Sequence, residues 1–564
     1  MREFHRLFSV PFLIGIIGGF SAIFVRLVIH GSSSVANWLN LFNDKPLFFL
    51  IAIPPLFVAS SFVIHRFLTD TSNPTIDSVA RSIALKKGRL DYKKGLTSVL
   101  LTAINIGFGT PVGREGPIAK FGGSFTALFL KAFKVEGASI PLFVTCGVSS
   151  ALAATFNAPI AAVVFGLEII LGRLNFNVII PLSVSSAVAT VISRYFLGNY
   201  PTFYVHKLHY NFLFLLLVPL FALAFSSIVV LFGFVFEMTE KIYENLKINH
   251  LLKALTGGII VAIIVFVFPD AASLGYKQVS QLFAHKFQYD HAFMLAIAKT
   301  VGLAITFASG IFGGIFAPSI FIGAFWGFAM GGFLSHTVAG LDPLSVALIG
   351  TASVTAGISS APFRSSLIII ELTQNYQMAI PILLSSVITL YFVHVFEDRV
   401  HFARTILQKG FDLMDASYQE KLKRLNITNF IDTDIQTLNR DTRISDVVFD
   451  LMNSPSSYFP VVEEGKLIGV LSFRDIRLMY TKEDYTTTTV GELMTPNPSA
   501  LTLKSNGIDV FEFLSHIDAN YIPVVNNEKE KLYVGMLNVN SFTKFVSFVY
   551  LKRGDRCVLH DKIP

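Results

Sequence analysis

The sequence predicts an all-α polytopic membrane domain followed by a smaller soluble α/β domain. Three observations carry this reading. Of 564 residues, 52% are hydrophobic and 13% aromatic, with a mean hydropathy of +0.59, the composition of a chain with many membrane spans. Charge is unevenly spread: residues 411–564 hold 17 Lys and Arg against 21 Asp and Glu, whereas residues 1–410 hold 28 against 17. A net charge of +11 before and −4 after marks a soluble region following a membrane region. Finally, the apolar part repeats itself, with Pro117 and Pro318 separated by 201 residues and the pairs Pro159/Pro362 and Glu168/Glu371 each separated by 203.

In chain order, MREFHRLFSV runs into PFLIGIIGGFSAIFV without a small-residue cleavage site. It reads as a first membrane helix with its basic end in the cytoplasm. Apolar runs at 11–29 and 47–67 are separated by a loop with Asn37, Asn40, Asn43 and Asp44. The stretch 69–82 is polar, with Asn73-Pro74 as a loop signal. KKGRLDYKK (86–94) must lie in water. Apolar segments follow to about residue 197, several only 10–16 residues long and too short to cross a bilayer alone. Short segments broken by Gly and Pro point to a substrate site between half-helices.

Within them, Gly113-Arg114-Glu115-Gly116-Pro117 places a charged pair in apolar surroundings. A carboxylate at membrane depth is costly and is by default a functional-site candidate. Broken backbone there must be buried in protein or line a watery cavity. The helix resuming after Pro117 would present its positive N-terminal end and unpaired N–H groups to that cavity, which suits an anion. The alternative is a structural ion pair of Glu115 with Arg114 or Lys120.

The second half, about 205–400, echoes the first. GREGPIAKFGGSFTALF and GVSSALAATFNAPIAAVVFGLEII correspond to GGIFAPSIFIGAFWGFAMGG and GTASVTAGISSAPFRSSLIIIEL. Beyond residue 430 a smaller repeat appears. YFPVVEEGKLIGVLSFRDI (458–476) and YIPVVNNEKEKLYVGMLNVNSF (521–542) place Pro460 and Pro523 63 residues apart. Each reads as strand, turn, strand and the start of a helix, preceded by the helical segments ISDVVFDLMN and IDVFEFLSHI.

GREGP, GGIFAP, the NAP…E element and ELTQNYQ, in this order and spacing, resemble the CLC family of chloride channels and anion/proton antiporters. The tail resembles a tandem pair of CBS domains. The resemblance implies two inverted repeats in a transmembrane domain over 1–405 (repeats about 1–200 and 205–400). A linker at 406–429, the CBS pair at 430–550 and a tail at 551–564 would follow. It further implies a homodimer with one anion path per subunit and both termini in the cytoplasm. Glu115 matches the family's gating glutamate, flanked by Gly113, Arg114 and Gly116 in the anion path. Ile315 and Phe316, in GIFAP, match the residues whose amides coordinate the anion.

Three departures from the family stand out. Pro74, in NPTID, falls where a serine hydroxyl usually reaches chloride, with Thr75 or Ser72 able to supply a donor if the register slips; plant nitrate-preferring relatives also carry Pro at this point. Phe402 falls where a tyrosine hydroxyl is usual, and its ring edge could still face an anion; packing at the membrane exit is an equal reading. Ile169, after Glu168, stands where many proton-coupled members carry a relay acid. Glu168 itself is expected to satisfy helix or dimer-interface groups. In the tail, Ser472 and Asp475 fit the adenosine-nucleotide pattern, whereas Asn538 and Ser541 take those places in the second unit. A purely structural, dimerising domain weighs slightly above nucleotide sensing.

The expectation is therefore a passive channel for chloride or another monovalent anion, gated by Glu115. A proton-coupled antiporter is the alternative, and a CBS-regulated magnesium transporter a distant one. Magnesium needs clustered carboxylates and waters, which the apolar segments do not supply. Cys146 and Cys557 build no disulfide framework or metal cluster. No metal-spaced His/Cys/Asp cluster or Ser–His pairing supports an enzyme, His291 and His394 being isolated. No cofactor is required, an adenosine nucleotide at the CBS domains excepted, and no nucleic-acid partner is expected. Compact loops point to a prokaryotic plasma membrane, with the CBS domains in the cytoplasm.

Overall fold

The computed structural model describes residues 5–39, 45–68, 79–80, 82–83, 88, 90–135, 139–171, 176–205, 208, 210–338, 340–397, 422, 425–452, 458–473, 475, 488–514, 521–527, 529–543 and 545. The chain forms two compact units, Met1–Phe411 and Asp412–Pro564.

The described residues of the first unit form helices joined by turns. Its first half holds α1 (Val10–Leu39), α2 (Lys45–Phe67), α3 (Tyr92–Gly107), α4 (Glu115–Ala132), α5 (Ile140–Phe156), α6 (Pro159–Phe165) and α7 (Phe176–Leu197). A π-helical stretch, Gly166–Leu171, continues α6. The second half holds α8 (Phe212–Asn245), α9 (His250–Val267), the short α10 (Tyr276–Phe283), α11 (Tyr289–Ala308), α12 (Phe316–Ser335), α13 (Pro343–Ser359), α14 (Pro362–Thr373) and α15 (Ala379–Glu397). Among the described residues eight helices are long and apolar enough to span a membrane, while α5, α6 and α13 are shorter. Their hydroxyls turn back onto carbonyls of their own helix, as Thr145 does to Pro141, Thr306 to Gly302 and Thr351 to Ala347. These three hydroxyls are thereby satisfied without water.

Backbone conformation repeats with the sequence. Gly109 (φ 99°) and Gly310 (φ 86°) turn the chain after α3 and α11, and the left-handed Asn157 and Ser360 end α5 and α13. The prolines that follow them, Pro159 and Pro362, start α6 and α14, where a missing N–H costs nothing.

Two crossings show how the halves are related. Gly113 and Gly314, 201 residues apart, exchange both backbone hydrogen bonds, N to O, at 2.7 and 2.6 Å in an antiparallel bridge. Reciprocal exchange between equivalent residues requires a two-fold axis between them, as inverted repeats have. The same axis swaps two carboxylates. Glu168 accepts from the Arg364 amide at the start of α14 (2.9 Å). Glu371 accepts from the Ile160 and Ala161 amides at the start of α6 (3.1 and 2.8 Å). Each repeat's glutamate thus satisfies the exposed N–H groups of the other repeat's helix.

The second unit contains two small sheets. One has the order β1 (Ile431–Asp432), β7 (Tyr533–Asn538), β6 (Tyr521–Val525), β5 (Leu501–Thr502); the other runs β2 (Tyr458–Glu463), β3 (Lys466–Ser472), β4 (Thr495–Pro496). Helices α16 (Ile444–Met452), α17 (Val490–Leu493) and α18 (Gly507–Leu514) accompany them. Both hairpins bulge one residue after the repeated proline, at Val461/Val462 and Val524/Val525. The leading strands are exchanged: β1 pairs with β7 of the second hairpin, and β4 with β3 of the first hairpin. Short two-residue strands carry too little hydrophobic alternation to announce this swap in the sequence.

Candidate functional site

Where the repeats meet, two helix N-termini lie on either side of the Gly113–Gly314 bridge. Helix α4 begins at Glu115 and α12 at Phe316, and neither has a side-chain cap on its preceding residue, Arg114 or Ile315. Pro117 and Pro318 occupy the same place in each first turn. The amides of Glu115, Gly116, Phe316 and Ala317 therefore have no acceptor within their own helices.

Glu115 lies over this junction and is 1% exposed. Its carboxylate rests beside the backbone amides of Arg114, Glu115 and Ala317, yet neither oxygen meets hydrogen-bond geometry. A Cβ at Gly113 or at Gly314 would collide with its Oε2, so the absence of a side chain at both positions leaves the space the carboxylate fills.

Next to the junction is a cavity lined by Glu115, Phe156, Phe165, Phe316 and Arg364 among others. Phe156 and Phe316 meet edge to face, with centroids 5.5 Å apart. Arg114 turns away from it, reaching the Thr155 carbonyl at 3.5 Å and standing 5.7 Å from the Tyr276 ring.

The structure brings Gly113, Arg114, Glu115, Gly116, Ile315 and Phe316 together. Pro74, Thr75 and Phe402 lie outside the described residues. Ile169 belongs to the π-helical stretch after α6, and its side chain lies outside the described residues. In the second unit, Asp475 Oδ2 accepts from both the amide and the hydroxyl of Ser472, at 2.9 and 2.6 Å. Asn538 accepts from the Ser541 amide at 3.0 Å, the same turn with neutral groups.

Sequence reading missed two buried cations. Arg364 is 2% exposed and lines the cavity with Glu115. Its signal was available in the repeat, since the residue 203 positions earlier is Ala161. Lys299, fully buried in α11, donates to the carbonyls of Ala271 (2.9 Å) and Ser273 (2.5 Å). Ser273 in turn bonds to Gly109 and Ile106 at the end of α3, so Lys299 pins the loop supporting the turn into Gly113. An isolated lysine in an apolar helix carries no sequence sign of a purely backbone partner.

Residues 56–394 match the family described as voltage gated chloride channel, and residues 427–481 match the CBS domain. An uncharacterised protein of Methanocaldococcus jannaschii is 28% identical over 387 residues, covering 67% of this chain and 91% of that protein. A protein named H(+)/Cl(-) exchange transporter ClcA, from Klebsiella pneumoniae, is 30% identical over 294 residues, covering 50% of this chain and 61% of its own length. The crystal structure of a eukaryotic CLC transporter superposes with a TM-score of 0.65 at 18% identity, covering 95% of this chain and 97% of that one. At that identity the likeness shows the fold, including a tail beyond the membrane helices. The family match over 56–394, with the apolar helices, makes this a multi-pass membrane protein. The chain belongs to the voltage gated chloride channel family.

Proposed function

We propose that the protein passes monovalent anions, chloride or a close relative, across a membrane, with Glu115 as the gate. The observation that carries this reading is the buried Glu115 carboxylate lying across two facing helix N-termini without a well-formed hydrogen bond. A halide and a carboxylate are both monovalent anions seeking the same N–H donors. An arriving anion or a proton removes the reason for the carboxylate to stay. Gly113, Arg114, Gly116, Ile315 and Phe316 form the backbone around that exchange, with Pro74, Thr75 and Phe402 assigned to the remainder of the path.

The mechanism we favour is a passive channel, because Ile169 cannot relay a proton and Phe402 offers no hydroxyl. The second reading is proton-coupled exchange. It is favoured by the name of the Klebsiella pneumoniae relative, an exchange transporter, and by the fact that a carboxylate gate can itself carry a proton. We assign a homodimer in the plasma membrane, with the CBS pair in the cytoplasm. An adenosine nucleotide is at most an optional ligand there, since the bonds between Ser472 and Asp475 already occupy the acid.

Anion efflux from proteoliposomes, with pH recorded alongside, tests both readings. Glu115→Gln mimics the protonated gate and is expected to leave anion flux open or faster, and to abolish any coupled proton movement. A variant whose flux and pH response match the unaltered protein removes Glu115 from the gate. Uphill proton movement driven by a chloride gradient in the unaltered protein would establish exchange.

A further inference from the structure

Tyr276 carries a hydroxyl that its own packing does not use. The oxygen is buried and has no hydrogen-bond partner, whereas a phenolic O–H shut away from water ordinarily finds one. The ring itself is well held. It meets Phe203 edge to face with centroids 5.3 Å apart, and the Arg114 guanidinium carbon stands 5.7 Å from its centroid. Tyr276 opens α10 directly after Gly275, whose φ of 84° and close approach to the Phe321 ring of α12 fix where the helix begins. Packing therefore accounts for the ring and leaves the oxygen over.

Its surroundings supply a partner. Glu115 and Arg114 are the charged groups that act on the Tyr276 hydroxyl. Both oxygens of the Glu115 carboxylate are likewise buried without a hydrogen bond. A donor and an acceptor that are electrostatic neighbours, each buried and each unpaired, are complementary. The remaining charges lie elsewhere. Helix α12 carries none, Lys277 of α10 is exposed, and Gln278 of α10 donates to Asp270 at 3.3 Å. Arg364 lines the cavity with Glu115, and Arg26 of α1 acts on Arg114.

We propose that the Tyr276 hydroxyl receives the Glu115 carboxylate when an anion takes its place at the junction. The inference rests on the reading of Glu115 as a gate. The amides of Arg114, Glu115 and Ala317 beside the carboxylate then serve the incoming anion. The displaced acid needs either another donor or a proton, because a buried carboxylate with neither is costly. Tyr276 is that donor, and the Arg114 guanidinium beside its ring offsets the charge. The gate thus opens unprotonated as well as protonated. Tyr276 acts through Glu115 and is a positioning residue; it lies on α10, remote in the chain from Phe402.

The test is chloride efflux from proteoliposomes as a function of pH, with Tyr276→Phe, Glu115→Ala and the double variant beside the unaltered protein. Tyr276→Phe removes one oxygen and keeps the ring contacts. Without the donor only the protonated gate opens. Flux is therefore expected to fall about tenfold in alkaline medium, as for one lost hydrogen bond to a charged group. It is expected to approach that of the unaltered protein as the medium is made acid, a pH profile that a role in packing would not produce. In the Glu115→Ala background the same substitution is expected to change nothing at any pH, since the carboxylate to be received is gone. The unfolding midpoint, measured at each pH, separates loss of fold from loss of flux. Unchanged flux in Tyr276→Phe, a loss of equal size at every pH, or a loss that persists in Glu115→Ala overturns the inference. If Glu115→Gln alters flux or its pH response, such a failure leaves the gate standing. If Glu115→Gln matches the unaltered protein in both, the gate itself falls.

Discussion

The two membrane repeats share a scaffold and differ in chemistry. Gly113 and Gly314, Pro117 and Pro318, Glu168 and Glu371 are identical pairs, and each pair makes a contact that crosses to the other repeat or sets the start of a helix. At several positions between, identity is lost. Glu115 corresponds to Phe316, Arg114 to Ile315, and Ala161 to Arg364. The first repeat puts a carboxylate at the junction; the second puts an aromatic ring there and a cation in the cavity alongside. A two-fold frame sets two helix N-termini on either side of the bridge, and the asymmetric side chains place a carboxylate at one of them only. Symmetry explains the fold, and its breaking singles out Glu115, the residue of the proposed gate.

The comparison can be broken most directly at the bridge. A Cβ on Gly314 would stand 2.9 Å from the Glu115 backbone nitrogen and 3.0 Å from the Gly113 carbonyl carbon; one on Gly113 would stand 2.9 Å from the Gly314 oxygen. Both would also strike the Glu115 carboxylate. Backbone on both sides cannot give way as a side-chain end would. Gly314→Ala and Gly113→Ala are expected to destabilise the protein by about 1–3 kcal/mol each and to abolish Glu115-dependent gating. Thermal unfolding in detergent and flux in proteoliposomes read the two effects separately. Adding Glu115→Ala should relieve the steric contact with the carboxylate and leave the backbone part of the loss. Wild-type flux and pH response in both glycine variants would remove the bridge from the transport path.

The swapped carboxylates sharpen the same comparison. Glu371 accepts two amide hydrogen bonds, from Ile160 and Ala161. Glu168 accepts one, from Arg364. Removing either by substitution to Ala leaves helix-start amides without their acceptor, at up to about 1–3 kcal/mol for each orphaned group. Glu371→Ala is expected to cost more than Glu168→Ala, read as the larger drop in unfolding midpoint. The reverse order would mean that Glu168 has a role beyond holding α14.

Much of this was legible in the sequence, for identifiable reasons. The repeat was visible because Gly and Pro are needed wherever the backbone turns or two chains approach closely, and such residues survive in place. Glu115 was visible because a carboxylate in hydrocarbon needs a reason. The inverted relation was not, since an offset of 201 residues says nothing about direction; the reciprocal hydrogen bonds of Gly113 and Gly314 do. Arg364 stands where the repeats differ, Ala161 being its counterpart, so the positions that agree do not point to it. The exchange of β1 and β4 between the two halves of the tail escaped because two-residue strands carry no periodicity.

The tail repeats the lesson at smaller amplitude, and its prediction has the smallest effect. After β3, Asp475 ties back to the amide and hydroxyl of Ser472, whereas after β7 the neutral Asn538 takes the Ser541 amide. If the Ser472–Asp475 pair serves the turn, Asp475→Ala should lower tail stability by about 0.5–2 kcal/mol, the range of a lost helix-start hydrogen bond. It should leave anion flux unchanged, and ATP or AMP should shift neither flux nor unfolding midpoint in the unaltered protein. The competing outcome is specific: a midpoint raised by nucleotide, and lost in Asp475→Ala, would mean that the carboxylate exchanges its bonds to Ser472 for a ribose. The asymmetry between the two tail units would then mark a ligand site, as the asymmetry between the membrane repeats marks the proposed gate.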